Sequence, residues 1–152
     1  AFENEHHALL ALMSIYGIEL LSDNTAECRE NLLAVFVGYT KSNLEAPLYG
    51  AAMTVLQANV VQGDALTMLD MDQSPIVFPE WAYLGKGRFQ RRDFRFDALT
   101  QMSLYGEGTL FESMEKGDIF APEKDYPPLS VLEIAAMAPA SSVSNESGDR
   151  DD

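Results

Sequence analysis

The sequence predicts an α/β fold in which parallel strands are joined by helical crossovers and an antiparallel hairpin follows. Three observations predict it. Two short apolar runs, 15–20 and 59–66, are separated by enough chain for two helices, as parallel neighbours require. Each run carries a carboxylate towards its carboxyl end, Glu19 in the first and Asp64 in the second. After residue 70 the chain turns to aromatic and β-branched residues broken by Pro75, Pro79, Gly85 and Gly87, a hairpin pattern.

The elements follow in order. Residues 3–14 read as a helix, because Ala8, Leu9, Leu12 and Met13 recur at helical spacing among good helix formers. His6 and His7 are neighbours on it, pointing about 100° apart, so they do not clamp one metal together. The run 15–20, with Ile15 and Ile18, reads as a strand with poor alternation, which suits burial on both faces. Ser22, Asp23 and Asn24 are N-cap candidates, and Glu27 stands at capping-box spacing from Asn24. A helix to about Tyr39 follows, with Ala26, Leu32, Leu33 and Phe36 as its apolar stripe and Gly38 as its stop. A loop with Pro47 leads to a helix over 48–58 and then to the strand at 59–66.

Further on, strands near 75–78 and 89–96 are expected to pair antiparallel around Gly85-Lys86-Gly87. A short helix starts at Asp97, residues 106–128 read as mostly irregular, and one more helix begins after Ser130 as its cap. The expected organisation is one domain over 1–138 and a disordered acidic tail over 139–152, rich in small polar residues.

Size and charge narrow the function. A chain of 152 residues can bury one real core. No apolar run nears the length of a membrane span, no signal-peptide pattern opens the chain as given, and Cys28 is the one cysteine. These features fit a cytoplasmic protein with no membrane partner. The net charge of −14 opposes nucleic-acid binding by the surface as a whole. The basic residues are uneven, however: Lys86, Arg88, Arg91, Arg92 and Arg95 hold half of the 10. Two readings of this stretch stand side by side. In one, Arg88, Arg91 and Arg92 contact DNA phosphates weakly. In the other, the hairpin's phenylalanines pack inward and its arginines pair with the surplus acids.

The two strand-end acids have a chemical use. Ligands of open α/β sheets bind beyond the carboxyl ends of the strands, where one acid can hold both ribose hydroxyls of a nucleotide and the next can accept from the adenine amine. The bland alternative is that such acids favour the following helix N-terminus.

"ALMSIYGIELLSDNTAECRENLLAVF", followed by "NVVQGDALTM", resembles adenine-N6 DNA methyltransferases, the modification subunits of bacterial restriction–modification systems. "GRFQRRDFRFDALTQ" and "IFAPEKDYPPLSV" are similar to the later part of those subunits. The resemblance implies a partial Rossmann-like sheet of the S-adenosylmethionine-methyltransferase kind. It implies S-adenosylmethionine as cofactor, with Glu19 on the ribose, Asp64 on the adenine amine, and Leu20 and Ala65 beside the adenine ring. Two family motifs are absent from the 152 residues: the Phe-x-Gly-x-Gly loop and the Asn/Asp-Pro-Pro-aromatic motif. Residues 125–129 read Asp-Tyr-Pro-Pro-Leu, with the aromatic before the prolines, and are expected to form a turn or extended segment. No catalytic residue is therefore assigned. The expectation is a piece of a methyltransferase, or a relative of one, that binds the cofactor weakly or not at all by itself. The alternatives are a non-catalytic subunit that pairs with a full enzyme and an acidic mimic of DNA. Without the first strand of such a sheet, the strand at 15–20 has an open edge, and a homodimer or a companion methyltransferase or restriction subunit is expected to cover it.

Overall fold

The computed structural model describes residues 2–104 and 121–137, and the acidic tail expected from 139 lies outside the described residues, as does the stretch 105–120. The described chain is mixed α/β, with five helices and two sheets.

The first sheet has the order β1-β2-β3. Helix α1 (Phe2–Met13) leads into β1 (Gly17–Glu19), and α2 (Ser22–Thr40) and α3 (Pro47–Asn59) cross over to β2 (Val60–Asp64). Strands β1 and β2 run parallel, with Gly17 opposite Val60 and Glu19 opposite Gln62, as the two-helix separation predicts. The chain then turns straight back into β3 (Leu69–Asp70), antiparallel to β2, a reversal that the apolar pattern did not indicate. Gly63 sits inside this reversal. A Cβ there would meet the Leu69 carbonyl at 2.8 Å and Ile76 Cδ1 at 2.9 Å, so only glycine lets the returning chain approach so closely.

Several local expectations are corrected. β1 is short and lies at the sheet edge, so it is half-buried throughout rather than buried on both faces. Ile15 and Leu20, read as strand, flank it and are 40% and 59% exposed. Helix α2 starts at Ser22 after Leu21, with no side-chain cap. Instead Thr25 Oγ1 donates to the Leu21 carbonyl, and Asp23 Oδ1 accepts the adjacent Asn24 N–H. The helix runs through Gly38 to Thr40, and its C-cap Lys41 adopts a left-handed φ of 56° and donates its N–H to the Val37 carbonyl. Pro47 belongs to α3 as its first residue, where the missing N–H costs nothing. The second strand stops at Asp64 and does not extend to Leu66.

The second sheet is antiparallel, ordered β4-β5-β6, with β7 also on β5. β4 (Val77–Gly85) and β5 (Arg88–Arg95) form the expected hairpin, although β4 is twice as long as the predicted strand. Lys86 and Gly87 make its two-residue turn, both at positive φ (53° and 71°), the twist that suits a tight hairpin. Gly85, at φ 84°, stands where the register shifts. α4 (Phe96–Leu104) begins one residue before the predicted start. The Asp-Tyr-Pro-Pro-Leu segment is extended, with β6 (Lys124–Asp125) and β7 (Leu129–Ser130) both lying along β5.

α5 (Val131–Ala136) has the predicted Ser130 cap in full: Ser130 Oγ accepts the Glu133 N–H, and the Glu133 carboxylate accepts the Ser130 N–H. These bonds hold the Glu133 carboxyl below its ordinary value of 4.5, with Arg88 adding to the effect. A lowered folded value means that the contribution is complete above 4.5 and is lost as the pH falls through the folded value. Glu133→Gln should therefore be less stable than the parent at neutral pH, and the gap should close in acid. Urea titrations across that range would read it, and a gap independent of pH would contradict the assignment.

The core joins the layers. Leu9, Leu12 and Met13 of α1, Phe36 of α2, Ala51, Ala52, Val55 and Leu56 of α3, and Phe89 of β5 are buried in one cluster with Trp81, Leu129 and Ile134. α3 and α5 meet closely at Gly50, where a Cβ would come within 3.0 Å of Ala135 Cβ.

Candidate functional site

The parallel pair fixes where the two acids lie. Neighbouring parallel strands end on the same rim, and residues in register point to the same face. Glu19 is opposite Gln62, and Asp64 is two residues beyond Gln62 on the same strand. Glu19, Gln62 and Asp64 thus share one face, and strand spacing and rise put the Glu19 and Asp64 Cα atoms about 8 Å apart. Gln62 Nε2 donates to the Leu20 carbonyl at 3.1 Å, tying the two strand ends together. Leu20 and Ala65 follow the acids on the rim, and both are exposed.

The two carboxylates differ in how far they are committed. Asp64 Oδ1 accepts the Leu66 N–H at 2.8 Å and stiffens the turn into β3. Its backbone carbonyl accepts the Met68 N–H at 2.8 Å. No hydrogen bond or ion pair reaches the Glu19 carboxylate among the described residues, and the side chain is half-buried. Neither acid caps α2 or any following helix, since β2 is followed by a strand. Asp64 is thus a turn-former, while Glu19, two residues before the α2 N-cap Leu21, carries no hydrogen bond of its own among the described residues.

The basic stretch is laced to carboxylates. Arg91 donates to Asp93 at 2.8 Å, with both side chains largely buried. Its guanidinium lies over the rings of Trp81 and Tyr126, 5.1 and 4.7 Å from their centroids. Arg92 pairs with Glu80 at 2.8 Å, and Arg88 approaches Glu133 at 3.8 Å. Arg95 pairs with Asp97. Phe89 is fully buried, and Phe94 is buried on the other face beside Phe78. A phosphate backbone would have to displace these acids from Arg88, Arg91 and Arg92. Arg91 in particular is a packing element.

Two residues that pattern reading did not single out hold the site's base. Asn59 is fully buried at the joint between α3 and β2. Its Nδ2 donates to the Met13 and Ile15 carbonyls at 2.9 and 3.0 Å, and its Oδ1 accepts Trp81 Nε1–H at 3.0 Å. It connects the end of α1, the approach to β1, and the second sheet. Arg29, on α2, donates through Nε and Nη2 to the Val60 carbonyl at 2.9 and 2.6 Å. Burial pulls its guanidinium below its ordinary value, yet an arginine stays charged at neutral pH, and a cation at the end of α3 complements that helix dipole. The only advance signal for Asn59 was a polar residue set between an apolar helix and an apolar strand.

An apolar groove of about 490 Å³ lies between α1 and α2, bounded by Ala8, Ala11, Ile15, Leu32, Val35 and Tyr39 among others. At the start of α1, His6 stacks near Tyr83 and Phe89, and the Tyr83 hydroxyl lies 3.2 Å from Glu3 Oε1 and 3.3 Å from His6 Nδ1. None of the described helices is long and apolar enough to cross a membrane.

No family model, no curated protein and no solved structure matches this chain.

Proposed function

We propose that the rim carrying Glu19 and Asp64 is the adenosyl-binding edge of a methyltransferase-like sheet, and that the chain is related to S-adenosylmethionine-dependent DNA adenine-N6 methyltransferases. The observation that carries this reading is the parallel β1–β2 pair, which brings both acids to one face of one rim. The residues present fit the nucleoside part of the cofactor. Glu19 has both carboxylate oxygens for a ribose diol, Asp64 has Oδ2 beyond its turn bond, and Leu20 and Ala65 offer exposed apolar surface for a ring. When bound, the cofactor would supply the methyl group. The described residues supply contacts to its adenosyl end and none that orient an acceptor base. Binding by the chain alone is accordingly weak.

The test is a titration with S-adenosylhomocysteine followed by NMR. Amide shifts at millimolar ligand should cluster at Glu19, Leu20, Asp64 and Ala65. Glu19→Gln should remove them, and so should Asp64→Asn, which keeps an oxygen for the Leu66 N–H. Shifts absent at that concentration, or located elsewhere, would refute the proposal.

A second reading, a non-catalytic subunit that pairs with a full methyltransferase, draws on residues 125–129. Tyr126 is taken up by the Arg91 guanidinium, and its hydroxyl donates to Asp93 Oδ2 at 3.0 Å, so it does not present a face to a flipped base. Co-purification with a companion methyltransferase would support this reading.

A further inference from the structure

We propose that the open edge of β1 pairs antiparallel with the same edge of a second copy of this chain, in register about Ile18. β1 ends the first sheet, and among the described residues no strand lies on its outer side. Parallel strands occur almost entirely inside covered sheets, and exposed edges normally carry charges, prolines or bulges that prevent association. The other edges here are protected. β3 is only two residues long and ends in Asp70, with Asp72 just beyond. β4 carries Pro79, Glu80 and a register shift at its end. β1 is also short and ends in Glu19, but it carries no proline or bulge, and its flanks Ile15, Leu20 and Leu21 are 40–59% exposed. Tyr16 keeps 44% exposure, with its ring against Phe78 and its hydroxyl donating to the Pro79 carbonyl.

The occupant follows from the sequence of the edge itself. "IYGIELL" over 15–21 is self-complementary about Ile18. Antiparallel pairing on that centre sets Ile18 against Ile18 of the second copy, Gly17 against Glu19, Tyr16 against Leu20, and Ile15 against Leu21. Every exposed apolar side chain meets an apolar one, and the single charge faces a glycine. Moving the centre to Glu19 would oppose two carboxylates, which destabilises a pair. A two-fold axis through Ile18 makes the contact isologous and closed. The sheet becomes six-stranded, and Ile15 carries the apolar contact into the α1–α2 groove. A three-residue strand is small against the roughly 800 Å² per partner of a stable interface, so the association is weak. The −14 charge of each copy opposes it at long range, so added salt strengthens the dimer by screening, the reverse of an interface held by ion pairs.

Sedimentation of the whole chain at tens of micromolar should show a monomer–dimer equilibrium that shifts to dimer as sodium chloride is raised. Ile15→Lys should abolish the dimer, and Ile15→Lys combined with Leu21→Glu should restore it, because the two new charges face each other across the axis. Circular dichroism would confirm that both variants fold. In a Cys28→Ser background, Ile18→Cys should oxidise to a disulfide-linked dimer, since opposed residues of antiparallel strands stand at disulfide distance. A monomer at every salt concentration, a dimer that salt dissociates, or failure of the charge pair to restore association would overturn the proposal. Adenosyl binding is read separately at Asp64 and Ala65, at the end of β2 and off the pairing edge, so either result can fail without the other.

Discussion

Asn59→Leu should destabilise the fold by about 3–5 kcal/mol in urea unfolding, with little change in the slope of the transition. The size follows from what is left behind. The Trp81 indole N–H and the Met13 carbonyl lose their partner where both bonds are buried, and the Ile15 carbonyl loses its partner at a part-buried position. Each buried group left unpaired costs about 1–3 kcal/mol. Leucine fills the volume, so the loss reports polar bonding rather than a cavity. Asn59→Ala should lose at least as much. A loss under about 1 kcal/mol for Asn59→Leu would show that the three contacts contribute little to stability. The same substitution should loosen the approach to β1, because Ile15 O is one of the carbonyls released. Amide exchange at Gly17–Glu19 should then quicken before global unfolding does.

Asp93→Leu should cost about 3–5 kcal/mol, while Arg91→Met combined with Asp93→Leu should recover more than half of that loss. Asp93 is 8% exposed and holds Arg91 and the Tyr126 hydroxyl at once. Removing the acid strands a largely buried guanidinium, whereas removing both charges leaves apolar side chains against Trp81. Breaking one partner of a buried ion pair is expensive, and replacing the pair by apolar residues is often neutral. Chemical denaturation of the two single variants and the double variant closes the thermodynamic cycle. A loss in the double variant equal to the sum of the Arg91→Met and Asp93→Leu losses would show that the pair is not coupled. Arg92→Ala, whose partner Glu80 is half-exposed, should change stability by under about 1 kcal/mol.

Much of the fold was legible in periodicity and spacing. The two helices between apolar runs implied parallel neighbours, and β1 and β2 are parallel. Gly85-Lys86-Gly87 implied a hairpin turn, and Lys86-Gly87 forms it. Ser130 read as a helix cap, and it caps α5, with both hydrogen bonds of a capping box made to Glu133. These features are local, set by a few neighbouring residues whose propensities agree. The errors arose where tertiary packing decides. Gly38 looked like a helix stop, but α2 has open space beside it and runs on to Thr40. The run at 15–20 looked doubly buried, but burial depends on what covers an edge, and no apolar count within the run contains that information. The β2–β3 reversal rests on Gly63 tolerating backbone at 2.8 Å, a contact between residues whose proximity only the folded chain creates.

The candidate site divides along the same line. The sequence alone placed Glu19 and Asp64 at the carboxyl ends of two apolar runs, because strand ends are marked by local changes in polarity. It also concentrated cations in the hairpin, because charge is a property of composition. Only the tertiary structure decided that the two acids share a face, since that depends on the β1–β2 register. Only the structure showed that Arg91 lies between two aromatic rings with Asp93 as its counter-ion, and that Asn59 joins three segments. Those outcomes depend on contacts between residues up to 46 positions apart, as from Asn59 to Met13. Such contacts form when burial removes water from polar groups and obliges each to find a partner within the protein.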